Sequence, residues 1–217
     1  MPLSETVAAA DARPLLIFPC NGNGIEALDC LGPGHRLIGF VDDSPHKRGT
    51  QVHGHPVFDR SALSDGFDAL VLAVPGSPTS FRTRSQTVDA LGVARQRFAT
   101  VIHPAARVSP LARIGCNVLI MAGVVITSDA VIGDHVCILP NTVIHHDVVI
   151  GPWTLIGANV TIAGNTTIGE NCYIGSGTSV MNGLQVGKGT LIGLGSNVIR
   201  DVSAGETWAG NPARKLS

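Results

Sequence analysis

The hexad Ile144-His145-His146-Asp147-Val148-Val149 interrupts a chain otherwise sparing in reactive groups. Its aliphatic residues belong to an interior, so the polar triplet projects outward near a corner. Two imidazoles beside a carboxylate make a proton acceptor. An imidazole's unperturbed pKa of about 6.5 suits proton uptake near neutrality, and a neighbouring carboxylate holds the tautomer and stabilises the cation. A pair of ordinary surface histidines is the alternative. His103, before Pro104, reads as structural, and His135 as a solvent-facing residue off the stack that carries His146. Asn141 and Asn159 suit either the wall of a cleft or a turn.

A second cluster lies near the start. Residues 15–19 (LLIFP) read as a buried strand, followed by the turn Cys20-Asn21-Gly22-Asn23-Gly24. Gly22-x-Gly24-x-x-Ala27, with Asp42 twenty residues after Gly22, matches the outline of a dinucleotide fingerprint. Glycines let backbone N–H groups approach a phosphate. An acid at the end of the next strand, Asp42 or Asp43, can take donors from a ribose or base. The segment is too short for a full dinucleotide fold, so a nucleotide other than NAD or NADP fits better. A purely structural turn is the remaining reading.

These groups must be held in place, and the carboxyl-terminal half supplies the frame. From residue 102 to residue 198 every sixth residue is Ile or Val, seventeen in succession. A period of six is neither that of a helix nor that of a plain strand. Six residues make one short strand and a corner. Three such units close one coil of eighteen, and coils stack as parallel strands about 4.8 Å apart into a triangular prism roughly 27 Å tall. The aliphatic residues point inward. The fourth position after nearly every one is small or β-branched, as at Ala106, Thr142, Thr154 and Thr166, with Leu184 the bulkiest. Gly follows many of them, as at Gly115, Gly151 and Gly175, which suggests corner φ values that other residues resist. Ahead of the prism, strands over 37–41, 56–58 and 69–74 alternate with helices over 25–31 and 80–91, implying a small parallel sheet.

The repeat resembles the hexapeptide-repeat acyltransferases, whose fold is a left-handed parallel β-helix. The handedness comes from the resemblance, since the period alone does not set it. The glycine turn and the run His146-Asp147-Val148-Val149-Ile150-Gly151 are similar to a narrower group with a small Rossmann-like domain: the nucleotide-linked amino-sugar N-acetyltransferases of bacterial glycan pathways and the sialic acid O-acetyltransferases. The implied fold class is a leader over 1–13, an α/β Rossmann-like domain over 14–100, an all-β left-handed β-helix over 101–203 and a cap over 204–217. The implied activity is transfer of an acetyl group from acetyl-CoA to the amine of a nucleotide-linked sugar of the 4-amino-6-deoxy type, with no acyl-enzyme and no metal.

The same resemblance distributes the roles. His146 is the general base and Asp147 its orienting partner. His145 takes a substrate-side position that is acidic in some relatives, and Gly22, Gly24, Asp42 and Asp43 hold the nucleotide. Some relatives carry a second His nine residues after the first, against the acyl donor; here that place is Leu155. Gly164, eighteen residues after His146, sits one coil above it, where its N–H can steady an oxyanion. The ending Gly210-Asn211-Pro212-Ala213-Arg214-Lys215 matches a signature of members that use acetyl-CoA, with Arg214 and Lys215 set to meet its phosphates. A homotrimer with sites between neighbours is implied as well. The turn lacks the His that often follows the family's glycine: Asn23 precedes Gly24, and Ile25 follows.

Composition narrows the alternatives. A net charge of −1 gives no field for nucleic acid or an anionic membrane. No apolar run nears the ~18 residues of a membrane span, and the first residues lack the order of a signal peptide. The five cysteines (Cys20, Cys30, Cys116, Cys137, Cys172) are scattered, with no CxxC, which fits a reduced cytoplasmic protein without a zinc site. Two competing functions stand beside the first. One is O-acetylation of sialic acid or another sugar by the same base. The other is a non-catalytic β-helix that binds a sugar nucleotide.

Overall fold

The computed structural model describes residues 12–64 and 68–216; the expected leader lies, up to residue 11, outside them. Strands β1 (Arg13–Phe18), β2 (His35–Val41), β3 (Gln51–Val52), β4 (His55–Phe58) and β5 (Leu70–Ala73) form one sheet in the order β3-β4-β2-β1-β5. It is parallel apart from the β3–β4 hairpin. β1 is apolar at consecutive positions because both of its faces are covered. Leu15 and Ile17 enter a core shared with the prism, and Leu16 and Phe18 enter the core on the far side.

The helices are shorter than the pattern predicts, and the first starts earlier. α1 (Gly22–Glu26) begins inside the glycine run and passes into a 3-10 turn, Ala27–Cys30. α2 (Arg84–Asp89) follows a 3-10 turn, Phe81–Thr83. Gly24 accounts for the early start. A Cβ there would stand 2.0 Å from the Pro19 carbonyl oxygen, so only glycine lets a helix begin against the end of β1.

The repeat forms a parallel β-helix of the left-handed class. Its strands are two residues long and pair with those eighteen residues away, Ile126 with Ile144 and Ile144 with Ile162. Three sheets result. The first runs through Leu119–Ile120, Cys137–Ile138, Leu155–Ile156 and Tyr173–Ile174. The second contains Val143–Ile144 and the third Val149–Ile150. The inward aliphatics from Ile120 to Val198 are each at most 2% exposed. Burying such a side chain contributes about 1.5–3 kcal/mol. Ile102, expected inside, is exposed, because the first coil has no coil beneath it. The buried hydroxyls of Thr142 and Thr154 donate to the carbonyls of Gly157 and Gly169 (2.7 and 2.9 Å), so the small corner position is also a polar group with its partner supplied.

The glycines that follow the inward aliphatics do not supply unusual φ values. They are needed for space: a Cβ on Gly151 would stand 2.4 Å from the backbone nitrogen of Glu170 in the next coil. The left-handed conformation falls two residues later, at Asn117, His135 and Trp153 (φ 55, 60 and 65°) and at the equivalent Asn141, Asp147 and Asn159. Asn and Asp adopt it more readily than other L-residues. Asn141 and Asn159 are therefore turn residues.

Outward positions of the first sheet are apolar (Leu119, Cys137, Leu155, Tyr173, Leu191), whereas the other sheets present residues such as Arg107, Arg113, Thr167 and Gln185. The apolar face packs on Leu15, Ile17 and Phe81 of the first domain. Along its edge, corner residues spaced by eighteen hold that domain. Asn117 bonds both the N–H and the C=O of Ala73 (2.8 and 2.7 Å). His135, expected to face solvent, is 9% exposed and stacks on Trp153 at 3.8 Å. Its place in the stack is set by Asn117 and Trp153, eighteen residues to either side, and not by His146.

The Asn117 side-chain oxygen accepts from Ala73, so its nitrogen is the donor to His135 Nδ1, 2.8 Å away. That imidazole nitrogen must stay unprotonated. Burial pushes the His135 pKa down to about 4. Above pH 6.5 the ring is neutral in both the folded and the unfolded chain. Between pH 6.5 and 4 only the unfolded chain takes up the proton, so stability falls with pH by up to about 3 kcal/mol. Urea midpoints measured from pH 8 to pH 4 will carry this slope in the wild type. The His135→Asn variant, suited to the same corner conformation, will lose that part of it.

Candidate active site

His146 and Asp147 occupy the corner where the second sheet passes to the third. Asp147 is the left-handed residue there (φ 57°), and its Oδ2 lies 2.8 Å from His146 Nδ1. With Nδ1–H donated to the carboxylate, Nε2 is the nitrogen left to accept a proton. Both side chains are about half exposed, at 53% and 54%. The imidazole lies across Gly164 in the coil above, where a Cβ would stand 2.6 Å from its Cε1 and Nε2. Glycine at this place gives the ring its seat. His145 is half-buried, and its backbone N–H is tied to Ile162 of the next coil. Along the same corner, at eighteen-residue steps above His145, come Ala163 and the exposed Met181 and Ile199. Arg200, exposed and without an ion-pair partner among the described residues, follows Ile199 at the top of this corner.

The amino-terminal cluster is assembled differently from its fingerprint. Asp42 is buried beneath the glycine turn. Its carboxylate accepts from the N–H groups of Cys20 (3.0 Å) and Ser44 (2.9 Å) and from Lys47 Nζ (3.1 Å). Burial works to raise its pKa, but the bonds from Ser44 and Lys47 outweigh this and hold it below the usual carboxylate value. Lys47 also donates to the Cys20 carbonyl at 2.6 Å, so a lysine that the sequence pattern does not mark ties Asp42 to the turn. Asp43 is exposed and forms a two-pronged pair with Arg60 (2.6 and 2.7 Å). At the other end of the chain, Lys215 pairs with Glu206 (2.8 Å), and Arg214 donates to the carbonyl of Ala213.

A cleft of about 220 Å³ lies between the domains. One wall is Asn23 of the glycine turn with Gly76 and Ser77 after β5; the other is Leu155, Cys137 and Tyr173 of the β-helix. β1 lies between β2 and β5, so the chain leaves it to one side and returns on the other. The crevice at the carboxyl ends of such strands is where open α/β sheets take ligands. Gly22 and Gly24 belong to the helix that opens beside it. The Pro75-Gly76-Ser77-Pro78 run marks this wall in the sequence, but only as the end of a strand. Leu155 is 6% exposed and forms part of the floor. Neither His146 nor Asp147 lines the cleft: one chain carries the imidazole at one corner and the cleft over the opposite sheet.

The bacterial transferase hexapeptide (six repeats) model matches residues 111–146 and 129–164. The acetyltransferase domain of PglB from Neisseria gonorrhoeae FA1090, solved with acetyl coenzyme A, is 30% identical over 94% of this chain and 100% of that one, with a TM-score of 0.81. The chain belongs to the hexapeptide-repeat sugar acetyltransferases. PerB from Caulobacter crescentus, solved with CoA and GDP-perosamine, is 28% identical over 95% and 98% of the two chains, with a TM-score of 0.80. Perosamine N-acetyltransferase from that organism is also known with one histidine replaced by asparagine or alanine. WeeI from Acinetobacter baumannii AYE is 25% identical over 94% and 100%, with a TM-score of 0.80. Curated protein sequences give no match.

Among the described residues of this acetyltransferase, no group of three His, Cys, Asp or Glu side chains is arranged to hold a metal ion. Nor is any helix there long and apolar enough to cross a membrane. The contact of His146 with Gly164 makes a specific demand. In Gly164→Ala the added methyl displaces the imidazole, and a structure of the variant will show the His146–Asp147 bond broken while strand pairing on either side is unchanged.

Proposed function

We propose that this acetyltransferase moves the acetyl group of acetyl-CoA onto the amine of a nucleotide-linked amino sugar, with His146 as general base and Asp147 as its orienting partner. The observation that carries the proposal is the 2.8 Å bond between His146 Nδ1 and the Asp147 carboxylate, which leaves Nε2 free on an open corner. The free amine attacks the thioester carbonyl and gives its proton to Nε2. The Gly164 N–H, one coil above, receives the oxyanion in this reading. Collapse expels the CoA thiolate, which takes the proton from the imidazolium. A covalent acyl-enzyme is not needed, and Cys137, the cysteine lining the cleft, is a poor nucleophile: burial pushes its thiol up to about 12.

The corner above His146 suits the donor. Ala163, Met181 and Ile199 offer an apolar track for the pantetheine arm, and Arg200 a cation at its far end for phosphate. Arg200 serves this role better than Lys215, which is paired with Glu206. The interdomain cleft suits the nucleotide sugar, with Gly22, Gly24 and Asn23 toward the phosphates. Asp42 acts there through the turn that it braces. Since the cleft and His146 lie on different sides of one chain, the proposal includes a second copy that brings its His146 to this cleft, as a homotrimer does. The 4-amino-6-deoxy class of acceptor, a role in bacterial glycan biosynthesis and a cytoplasmic location belong to the same reading. The GDP-perosamine bound to PerB supports amine over hydroxyl as the nucleophile.

In His146→Ala, turnover with acetyl-CoA and the sugar will fall by about 10²–10⁴, with the assembly intact and CoA binding retained by calorimetry. Wild-type turnover in that variant would remove the mechanism. Product analysis by mass spectrometry and NMR distinguishes an amide from an ester, which separates N- from O-acetylation.

A further inference from the structure

Arg84 is the largest fully buried side chain among the described residues, at 1% exposure, and no carboxylate among them pairs with it. Burial lowers its pKa to about 10, so it stays charged at neutral pH. Its charge is met by three backbone carbonyls. Nε donates to Pro75 (2.6 Å), Nη1 to Trp153 (2.5 Å) and Nη2 to His135 (3.0 Å). A buried cation without an anion is an expensive way to fill space, and an apolar side chain of similar volume would pack at lower cost. The three carbonyls show what the charge accomplishes. Pro75 opens the loop that forms one wall of the cleft. His135 and Trp153 are consecutive corner residues on adjacent coils of the β-helix, which forms the other wall.

Gly76 supplies an independent observation. Its φ is 127°, and a Cβ there would stand 2.7 Å from Arg84 Cδ and 3.0 Å from Leu155 Cδ1. The arginine stem therefore runs directly under the cleft-lining glycine, against a residue of the opposite wall. The segment before it is anchored along the same corner: Arg82 donates to the Gly189 carbonyl, Asn171 donates to the Arg82 carbonyl, and Phe81 meets the cleft residue Tyr173 at 5.9 Å.

We infer that Arg84 is a positioning residue for the acceptor: by clamping the Pro75–Gly76 loop to two coils of the β-helix, it sets the separation of the cleft walls and hence the fit of the nucleotide. This rests on the reading of the cleft as the nucleotide-sugar site. Arg84 does not touch substrate. Its effect falls on the acceptor and not on the donor track, which lies along a different corner.

The test measures Kd by calorimetry, on the intact assembly well below its melting temperature, for UDP, GDP and dTDP and separately for CoA. The proteins are the wild type, Arg84→Lys, Arg84→Met and Gly76→Ala. The expected result is that the diphosphate bound best by the wild type loses about tenfold or more in affinity in Arg84→Met and Gly76→Ala, by misplacement of one wall. Arg84→Lys, which keeps the charge but not the three-way fork, falls between, and CoA affinity stays within about twofold throughout. Gly76→Ala keeps the guanidinium but forces its stem and the loop apart, so it perturbs the same contact if Arg84→Met fails to fold. Variants that melt earlier yet bind the diphosphate as the wild type does would overturn the inference and leave only a structural role. A wild type that binds none of the three diphosphates while binding CoA would instead overturn the assignment of the cleft, and this inference with it.

Discussion

Stacking at a spacing of eighteen residues governs everything else in this molecule. A coil that closes in three hexads places each residue directly under the one eighteen positions later, about 4.8 Å away. Core side chains must then be alike from coil to coil, and the Ile and Val series satisfies this with nearly complete burial. The same rule acts outside the core. It lays Gly164 over the His146 ring, and it lines up Asn117, His135 and Trp153 as one column. A side chain set on such a frame, as the His146 ring is, needs no mobile loop to orient it. The corner conformation at Asp147 and the missing side chain at Gly164 do so.

Attachment of the first domain follows from the same column. An amide that mimics a backbone partner for Ala73, a neutral imidazole stacked on an indole, and an arginine satisfied by carbonyls form a polar strip beside an apolar face. These three groups have partners supplied from the other domain or the next coil, which is what allows them to be buried, whereas Asn171 Oδ1 farther along the corner is buried without one. The consequence for function is rigidity between the glycine turn and the β-helix wall. On the proposed reading, ligand and β-helix are then held in one geometry, and assembly of copies brings the reacting groups together.

Much of the frame was legible in the sequence, because a strict period survives any detail of packing. The short parallel sheet was legible too, from 15–19 and 69–74, whose consecutive apolar residues need cover on both faces. The role of His135 was not, because its neighbours in space are set by counting from Asn117 and Trp153 and not from His146. Corner glycines suggest a conformational need in the sequence but meet a steric one in the fold, since sequence shows the residue but not the backbone of the coil above it. A signal for the interdomain face did exist: the residue before every third inward aliphatic is apolar or aromatic, and large at all but Cys137, from Leu119 through Leu155 to Leu191. It places Leu155 in a seam and a cleft floor, a location that nine-residue spacing from His146 does not reveal. Arg84 and Lys47 were invisible, for their partners are backbone carbonyls and a buried aspartate brought together only by the tertiary fold.

The central claim is that catalysis joins the corner imidazole of one copy to the interdomain cleft of another. The direct measurement is complementation in mixed assemblies. His146→Ala copies keep the cleft and lack the base. Ser77→Trp copies fill the cleft and keep the base. After unfolding and refolding the two together, with mixed oligomers verified by native mass spectrometry, the account predicts activity well above that of either variant alone. Mixed oligomers that remain as inactive as their parents would contradict it, because a site contained in one chain has no complete copy in such a mixture.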